Sequence, residues 1–401
     1  MRLNPYITLL PLYIFLASCQ PSQQGSGSEQ KENHISWVDS ALNRSVEAYN
    51  QLLSSNPGMD RYPRTFENGE LITVSSPDWT SGFFPATLWY LYEYSGDETL
   101  GKAARKFSKG LFNEKNNTST HDLGFMLFCS LGNGYRAGED PQYKEVLLEG
   151  VNSLAGRFNP KVGAIKSWDW GQDQWTFPVI IDNMMNLEYL FWATKVTGDS
   201  SYYQMAVSHA EKTLTHHYRD DVSTWHVLDY DMETGEPVNK LTHQGYSDAS
   251  EWARGQAWGL YGYVMCYRET KDSRFLEQGK AIARYWMEHP AIPEDKVPYW
   301  DFDDPAIPNA PRDASAAAIV ASALLELSHL TGDENYRDYA LDILKSLASN
   351  AYMTTPGENG NFILRHSTGN KPKNSEVDVP LIYADYYFVE ALLRSKKWSV
   401  T

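Results

Sequence analysis

Residues 314–336 read ASAAAIVASALLELSHLTGDENY, and this stretch decides the fold. Residues 314–331 are apolar around most of the circumference of a helix, which is typical of a helix buried inside a protein. Gly332 can end that helix in a left-handed C-cap, and Asp333 can cap the start of a second helix. The stretch therefore predicts a helical hairpin whose first arm is buried.

The same kind of turn occurs five times along the chain, each time followed shortly by an aromatic residue or a leucine. The five turns are Gly96-Asp97, Gly138-Glu139-Asp140, Gly198-Asp199, Lys271-Asp272 and Gly332-Asp333. Helical hairpins that repeat at irregular spacing indicate a toroid of helices rather than separate domains.

Six strongly apolar helices are predicted, and each has polar or charged residues near its N-terminal end. They cover residues 80–94, 123–135, 183–197, 253–270, 314–331 and 382–394. If each is paired with a more amphipathic outer helix, the fold is all-α, an (α/α)6 barrel. If the inner helices run parallel, their polar ends gather at one mouth, where we expect the chemistry.

The N-terminal segment is predicted to direct and anchor the chain. Residues 7–18 are apolar but too short to span a membrane, so residues 1–18 are interpreted as a signal peptide. Leu16-Ala17-Ser18-Cys19 resembles a bacterial lipoprotein cleavage box, with Cys19 as the lipidated residue; an ordinary secretory signal is the alternative. Residues 19–34 are expected to be a flexible tether and residues 35–401 the catalytic domain. We therefore expect this chain to be a lipid-anchored protein of the bacterial periplasm or cell envelope.

Composition narrows the range of partners. A net charge of −16 among 401 residues argues against nucleic acid, and no second apolar run approaches the length of a membrane span. Cys129 and Cys266 lie in apolar helices and are expected to be buried thiols, and no spacing suggests a metal or cofactor site. Many of the 13 tryptophans lie beside the polar helix starts, which favours a carbohydrate site over a purely structural role.

Two aspartates lie at matching helix starts. Asp182 follows an extended apolar stretch, and Asp122 follows His121. Each could simply cap a helix, but two neighbouring carboxyl groups can also divide into one protonated and one ionised group. Gly124 would let a substrate or another backbone approach closely.

The densest polar and aromatic cluster is Ser250-Glu251-Trp252-Ala253-Arg254-Gly255-Gln256-Ala257-Trp258. The guanidinium of Arg254 suits a substrate carboxylate, although it could equally be paired with a structural Asp or Glu. Gln244 and His226 are further candidate hydrogen-bonding residues.

At these residues the chain resembles the unsaturated glucuronyl hydrolases, glycoside hydrolase family 88. The resemblance runs from about Trp37 to the C-terminus and is carried by separate segments in family order. They are 78-DWTSGFFP-85, 121-HDLGF-125, 182-DNMMNL-187, 252-WARGQAWG-259, 313-DASAA-317 and 383-YADYY-387.

The resemblance implies an (α/α)6 barrel and hydration of the C4=C5 double bond in the unsaturated uronic acid that polysaccharide lyases leave on oligosaccharides. It implies that Asp182 is the general acid and base and Asp122 the second essential aspartate. It implies a pocket lined by Trp79, His121, His226, Gln244, Trp252, Arg254 and Trp258. It also suggests that the loop 365–373 meets a sulfate on the leaving sugar through Ser367, Thr368, Lys371 or Lys373, with a solvated basic loop as the alternative.

Three other functions stay open. A sister enzyme on unsaturated rhamnogalacturonan would share the fold and the hydration step. A lipid-anchored sugar-binding protein would keep the pocket aromatics without needing both aspartates. An epimerase on the same barrel would use paired histidines, for which His226 and His243 are the candidates.

Overall fold

The computed structural model describes residues 26–138 and 140–398, and for residues 26–36 it gives the course of the backbone. The α-helices are α1 (Ser26–Ser55), α2 (Phe83–Ser95), α3 (Glu98–Gly110), α4 (Asn133–Arg136), α5 (Gln142–Ala155), α6 (Leu187–Thr197), α7 (Ser200–His216), α8 (Ala253–Thr270), α9 (Ser273–Glu288), α10 (Ala314–Thr331), α11 (Glu334–Leu347) and α12 (Ile382–Trp398). A π-helix, Gly124–Gly132, precedes α4, and a 3₁₀-helix, Ile181–Asn186, precedes α6. Three short 3₁₀-helices cover Phe112–Asn116, Asn359–Asn361 and Lys371–Lys373.

The helices form two concentric rings. The inner ring runs from α2 through the π-helix with α4, the 3₁₀-helix with α6, and α8, α10 and α12, and α12 closes it against α2. Five inner arms are each followed, after a short connection, by an outer helix, and α1 packs outside α2 and α12. All of Ala314–Ser328 in α10 is buried, as expected of an apolar helix with neighbours on every side. The predicted (α/α)6 barrel is confirmed.

The hairpin turns have the predicted caps. Gly96, Gly198 and Gly332 are left-handed C-caps, and the side chains of Asp97, Asp199, Asp272 and Asp333 each accept a hydrogen bond from the second backbone N–H of the following helix. Lys271 adopts the left-handed conformation, with φ of 59°, at the turn that lacks a glycine. These caps leave few unsatisfied backbone groups where one arm reverses into the next.

Two inner helices start later than predicted and less regularly. The prediction of regular helices from residues 123 and 183 is corrected, because a π-helix and a 3₁₀-helix occupy those positions. The two segments meet there: the backbone N–H of Phe125 donates to Oδ1 of Asn186 at 3.3 Å. A Cβ on Gly124 would lie 2.8 Å from the Cα of Asn186, so glycine permits the approach of another backbone.

Short strands form the loops on the mouth side of the barrel. β1 (Tyr62–Glu67) and β2 (Glu70–Val74) make a hairpin before α2, and β3 (Phe158–Asn159) pairs with β4 (Ala164–Ile165). β5 (Pro178–Ile180), β6 (Val227–Tyr230) and β7 (Pro237–Leu241) form an antiparallel sheet with β6 in the centre. β8 (Ser367–Asn370) and β9 (Ser375–Val379) make a hairpin before α12. These strands carry residues from distant parts of the sequence to one end of the barrel.

The N-terminal segment departs in part from the prediction. The signal peptide and Cys19 lie outside the described residues, but residues 26–34 belong to α1, which corrects the flexible tether over that range. Glu29, Gln30, Lys31 and Glu32 favour a helix, and they lead into the amphipathic arm that packs on the barrel. Within the described residues, α10 is the one helix long and apolar enough to cross a membrane, but 78% of it is buried inside the protein. We therefore assign α10 to the barrel core.

Candidate active site

A cavity of about 490 Å³ opens at the mouth where the inner helices begin. Five of the residues predicted for the site line it, namely Trp79, His121, Asp122, Asp182 and Gln244. They come from the starts of three inner arms and from the loop before α8. The polar helix starts therefore do converge at one end of the barrel.

Asp182 lies in the first turn of the 3₁₀-helix Ile181–Asn186, directly after β5. It is 8% exposed, and its Oδ2 is buried with no hydrogen-bond partner among the described residues. Burial raises the pKa of this carboxyl to about 7; the charges of His121 and Arg254 oppose the rise and the charge of Asp122 adds to it. A carboxyl group with such a pKa can give and take a proton near neutral pH.

Asp122 precedes the π-helix and has a polar contact on each carboxylate oxygen. Its Oδ2 accepts a hydrogen bond from the hydroxyl of Thr120 at 2.7 Å, and its Oδ1 lies 3.1 Å from Nε2 of His121. Asp122 is also less buried than Asp182, with 18% of its side chain exposed against 12%. The two aspartates thus occupy one cavity in different surroundings, which is the arrangement that separates an acid from an ionised partner.

Aromatic side chains form two walls of the cavity. Trp79 lies with its ring centroid 5.0 Å from that of Tyr383 and 5.7 Å from that of Phe125. On the other side Trp168 and Trp170 stack at 4.6 Å with an interplanar angle of 8°, and Trp170 is half-exposed at the rim. Exposed indole faces of this kind can hold the apolar face of a sugar ring.

Arg254 lies behind the cavity wall rather than in it, 1% exposed. Its Nη1 donates to Oδ2 of Asp313 and to the carbonyl oxygen of Thr368, both at 2.6 Å, and its Nη2 donates to the carbonyl oxygen of Gly369 at 2.6 Å. The structural alternative, pairing with an aspartate, is thus present, and a role of Arg254 in gripping a substrate carboxylate stays a prediction. Arg254 instead fixes β8 against the start of α10.

The other members of the predicted cluster are also packed behind the wall. Trp252 lies beneath Arg254, with the guanidinium carbon 4.6 Å from the ring centroid. Trp258 packs against Phe125 at 5.3 Å between ring centroids. His226 is 4% exposed, and its Nε2 lies 3.7 Å from Oδ2 of Asp182. These residues shape the wall and support the residues that face the cavity.

The loop predicted to meet a sulfate divides into buried and accessible residues. Ser367 and Thr368 are fully buried, and the Thr368 hydroxyl donates to the carbonyl oxygen of Arg312. Lys371 is directed to Asp304, with Nζ 3.1 Å from Oδ2. Lys373 does line the cavity, with its Nζ 3.2 Å from Nε2 of His243 and 5.7 Å from the ring centroid of Trp170.

Sequence reasoning assigned no site role to several lining residues. Trp168 and Trp170 entered the prediction only as members of the tryptophan set that favours a carbohydrate site, and His243 as an epimerase candidate; all three line the cavity. Arg64 gave no signal at all, because it reaches the cavity only where β1 packs beside β9, and there it forms a two-pronged ion pair with Glu376. The remaining unassigned residues are Ser119, Thr120, Phe125, Ser167, Ile180, Gly369, Asn370, Ser375, Glu376 and Tyr383.

Comparisons with known proteins agree with this geometry. The sequence profile of Glycosyl Hydrolase Family 88 matches residues 58–401. The chain is 45% identical to the unsaturated glucuronyl hydrolase of Formosa agariphila, over 99% of this chain and 99% of that protein. The crystal structure of an unsaturated glucuronyl hydrolase specific for heparin superposes with a TM-score of 0.88 at 48% identity, covering 91% of this chain and 98% of that one. A mutant of the Streptococcus agalactiae unsaturated glucuronyl hydrolase, complexed with dGlcA-GalNAc6S, superposes with a TM-score of 0.77 at 32% identity, covering 90% of this chain and 92% of that one.

Proposed function

This chain belongs to glycoside hydrolase family 88, and we propose that its cavity removes a 4,5-unsaturated glucuronic acid from the non-reducing end of glycosaminoglycan oligosaccharides. The single observation that carries the catalytic assignment is the carboxyl group of Asp182, buried in the cavity that Asp122 shares, with its pKa raised to about 7 by burial. The substrates would be the unsaturated fragments that polysaccharide lyases release.

The reaction needs one group that works as an acid and then as a base. Protonated Asp182 gives its proton to C4 of the C4=C5 double bond, and positive charge develops at C5 and the ring oxygen. A water molecule adds to C5 and returns a proton to the Asp182 carboxylate, which restores the starting state. The resulting hemiketal opens to a ketone at C5, and the hemiacetal at C1 then releases the leaving sugar.

Asp122 supports this cycle as an ionised partner. Its Oδ2 accepts the hydroxyl of Thr120, its Oδ1 lies 3.1 Å from Nε2 of His121, and its negative charge contributes to the raised pKa of Asp182. The same charge can stabilise the cation that forms at C5 and the ring oxygen. The whole chain is acidic, so long-range attraction does not bring in the anionic substrate. Hydrogen-bond donors in the cavity must hold it.

The test is the loss of ultraviolet absorbance from the conjugated alkene when the full chain meets a panel of lyase products. We expect Asp182→Asn and Asp122→Asn each to lower kcat by roughly 10²–10⁴-fold, the range of a general acid or base. Asp199→Asn, at an exposed helix cap, is the matched control and is expected to keep full activity. Near-normal turnover by Asp182→Asn would reject the assignment. An unsaturated rhamnogalacturonan disaccharide in the same panel tests the sister activity.

A preference for sulfated leaving sugars is proposed to depend on Lys373, the lysine of loop 365–373 that faces the cavity. Lys373→Ala is expected to lower kcat/KM about tenfold on a sulfated disaccharide and little on its unsulfated counterpart, since a charge-assisted hydrogen bond contributes about 1.5 kcal/mol. Lys371→Ala is the matched control, because that ammonium is held by Asp304. Equal losses on both substrates would contradict the proposal.

Anchoring through a lipid on Cys19 is proposed from the cleavage box alone, which would place the enzyme in the bacterial periplasm or cell envelope. Mass spectrometry of the N-terminal peptide from membrane-extracted protein tests it. A diacylglyceryl-modified Cys19 supports the proposal, and an unmodified Cys19 in a soluble chain contradicts it.

A further inference from the structure

Oδ2 of Asp182 is buried and has no hydrogen-bond partner among the described residues, although Asp182 lines the cavity. His226, the residue immediately before β6, faces this oxygen. Its Nε2 is 3.7 Å away, is also buried, and likewise lacks a hydrogen-bond partner in the part of the chain that the structure describes. Two buried polar atoms that face each other are compatible when one is a donor and the other an acceptor. Which atom is the donor depends on the tautomer of the imidazole.

Hydrogen bonds from the neighbouring turn identify the tautomer of His226. Its Nδ1 accepts the backbone N–H of His243 at 3.1 Å and that of Gln244 at 3.2 Å. The hydroxyl of Thr242 lies 3.3 Å from the same nitrogen, and the Thr242 oxygen already accepts the N–H of Gly245, so the hydroxyl proton is free to point at Nδ1. A nitrogen that receives two backbone N–H groups cannot carry a proton of its own. In the neutral imidazole the proton is therefore on Nε2.

Burial and packing also favour a neutral His226 ring in one orientation. Burial lowers the pKa of His226 well below its ordinary value, and the charges of His243, Arg254 and His217 lower it further. Packing fixes the ring plane, since the centroid of Trp252 lies 4.4 Å from that of His226. The lowered pKa favours the neutral ring near neutral pH, and the ring then presents one N–H group in one direction.

From these contacts we propose that His226 is a positioning residue: the turn 242–244 locks it as the Nε2–H tautomer, and its N–H is held against Oδ2 of Asp182. With Oδ2 facing a donor, the acidic proton of Asp182 is confined to Oδ1, the oxygen left to face the cavity and the substrate. The inference rests on the proposed function for its catalytic meaning. The tautomer itself is a property of the free protein.

The same geometry excludes His226 as an acid or a base. Its Nδ1 is occupied by the backbone and its Nε2 cannot gain a second proton, so it cannot exchange protons with a substrate. An epimerase working through paired histidines is therefore not compatible with His226 as one of the pair. The ionisable groups that act on Asp182 are His121, Arg254 and Asp122, together with the uncharged N–H of His226.

The first experiment reads the tautomer without any turnover. The full chain, labelled with ¹⁵N-histidine, is examined by NMR from pH 5 to pH 8, and the signal that disappears in His226→Gln assigns the ring. We expect a protonated Nε2 and a bare Nδ1 throughout that range. A protonated Nδ1, or an imidazolium that titrates within the range, would overturn the proposal whether or not the protein is an active hydrolase.

The second experiment compares two variants that each keep one side of the ring. His226→Gln can place an amide N–H near the position of Nε2, whereas His226→Asn can keep an acceptor for the turn but loses the donor to Asp182. We expect His226→Asn to lower kcat at least about tenfold with KM nearly unchanged, and His226→Gln to recover most of that loss. Because a donor stabilises the ionised carboxyl, its removal should move the alkaline fall of activity to higher pH in His226→Asn.

Each outcome of this comparison is decisive. Equal damage in the two variants with unchanged pH profiles, at matched thermal stability, would indicate only a packing role and would overturn the proposal. If wild-type protein consumes no unsaturated disaccharide, the proposed function fails, and the NMR result still stands or falls alone.

Discussion

At the scale of single residues, two aspartates at helix starts show how surroundings divide one residue type into different roles. Asp313 caps α10 through the N–H of Ser315 and pairs with Arg254, so its carboxylate is fully used by the structure. Asp182, also at the start of an inner arm, has a buried oxygen without a hydrogen-bond partner among the described residues, and burial raises its pKa to about 7. The group that can move a proton is thus the one that the fold leaves unsatisfied.

The raised pKa of Asp182 predicts a cost in stability. An unfolded aspartate has a pKa of about 3.9, so the folded chain holds this proton more tightly than the unfolded chain, and stability falls as pH rises from about 4 through 7. We expect Asp182→Asn to raise Tm relative to wild type by more at pH 8 than at pH 5. Calorimetry at the two pH values measures the difference.

Asp199 provides the control with the opposite sign. Backbone and side-chain hydrogen bonds from Ser201 lower its pKa, so its stabilising effect is present above the unfolded pKa and is lost as pH falls. Asp199→Asn should therefore lower Tm slightly at pH 8. A Tm gain for Asp182→Asn that is equal at both pH values would contradict the role given to its ionisation.

At the scale of elements, the irregular helices coincide with the site. The inner arms that contain or follow Asp182 and Asp122 begin as 3₁₀- and π-helices, whereas α8 and α10 are regular from the first residue predicted for them. Departures from α-geometry are frequent at functional sites because they reorient side chains. Here the side-chain oxygen of Asn186 accepts a hydrogen bond from the backbone N–H of Phe125. This bond joins two inner arms at the point where their irregular segments meet.

The hairpin turns predict a local backbone effect. Gly332 ends α10 with φ of 76°, and a Cβ added there would meet no atom within 4 Å, so Gly332→Ala tests left-handed strain alone. We expect it to lower the free energy of unfolding by about 1–2 kcal/mol. Gly156→Ala, at φ of −61° with only ordinary contacts, is the matched control and should be neutral or stabilising. Chemical denaturation of both variants measures the contrast, and equal effects would contradict it.

At the scale of the whole molecule, a buried ionic network joins the inner helices away from the mouth. Arg394 of α12 donates to Oε2 of Glu326 on α10 at 3.0 Å and to the hydroxyl of Tyr261 on α8 at 2.8 Å. Arg268 of α8 donates to Oε1 of the same Glu326 at 2.8 Å. The network thus links three neighbouring inner helices by directional bonds where they pack.

Removing one member of this network should destabilise the barrel as a unit. Arg394→Met leaves the buried Glu390 without its arginine and removes one of the two arginines that pair with Glu326. We expect a loss of about 3–5 kcal/mol in the free energy of unfolding. Lys161→Met, which breaks the exposed pair with Glu233, is the control and should have little effect. Denaturant unfolding followed by tryptophan fluorescence measures both. A loss for Arg394→Met no larger than that of the control would contradict a stabilising role for the network.

The architecture and part of the site could be predicted from local patterns in the chain. Its apolar runs and Gly-Asp turns are local signals, because helix burial and capping depend on residues a few positions apart. They predicted the six inner helices and the turns that join them to outer helices. The short motifs at the helix starts predicted that Asp122, Asp182, Trp79, His121 and Gln244 would lie together, as they do in the cavity.

The partners that occupy each polar side chain are visible only in the tertiary structure. Arg254 is bound by Asp313 and the β8 backbone, Lys371 by Asp304, and Arg64 is held at the cavity by Glu376 of β9. Each of these contacts joins residues far apart in the chain, and a hydrogen-bond partner at that distance leaves no periodic trace in the sequence. Burial, which raises the pKa of Asp182, is likewise a property of the closed ring and not of any single segment.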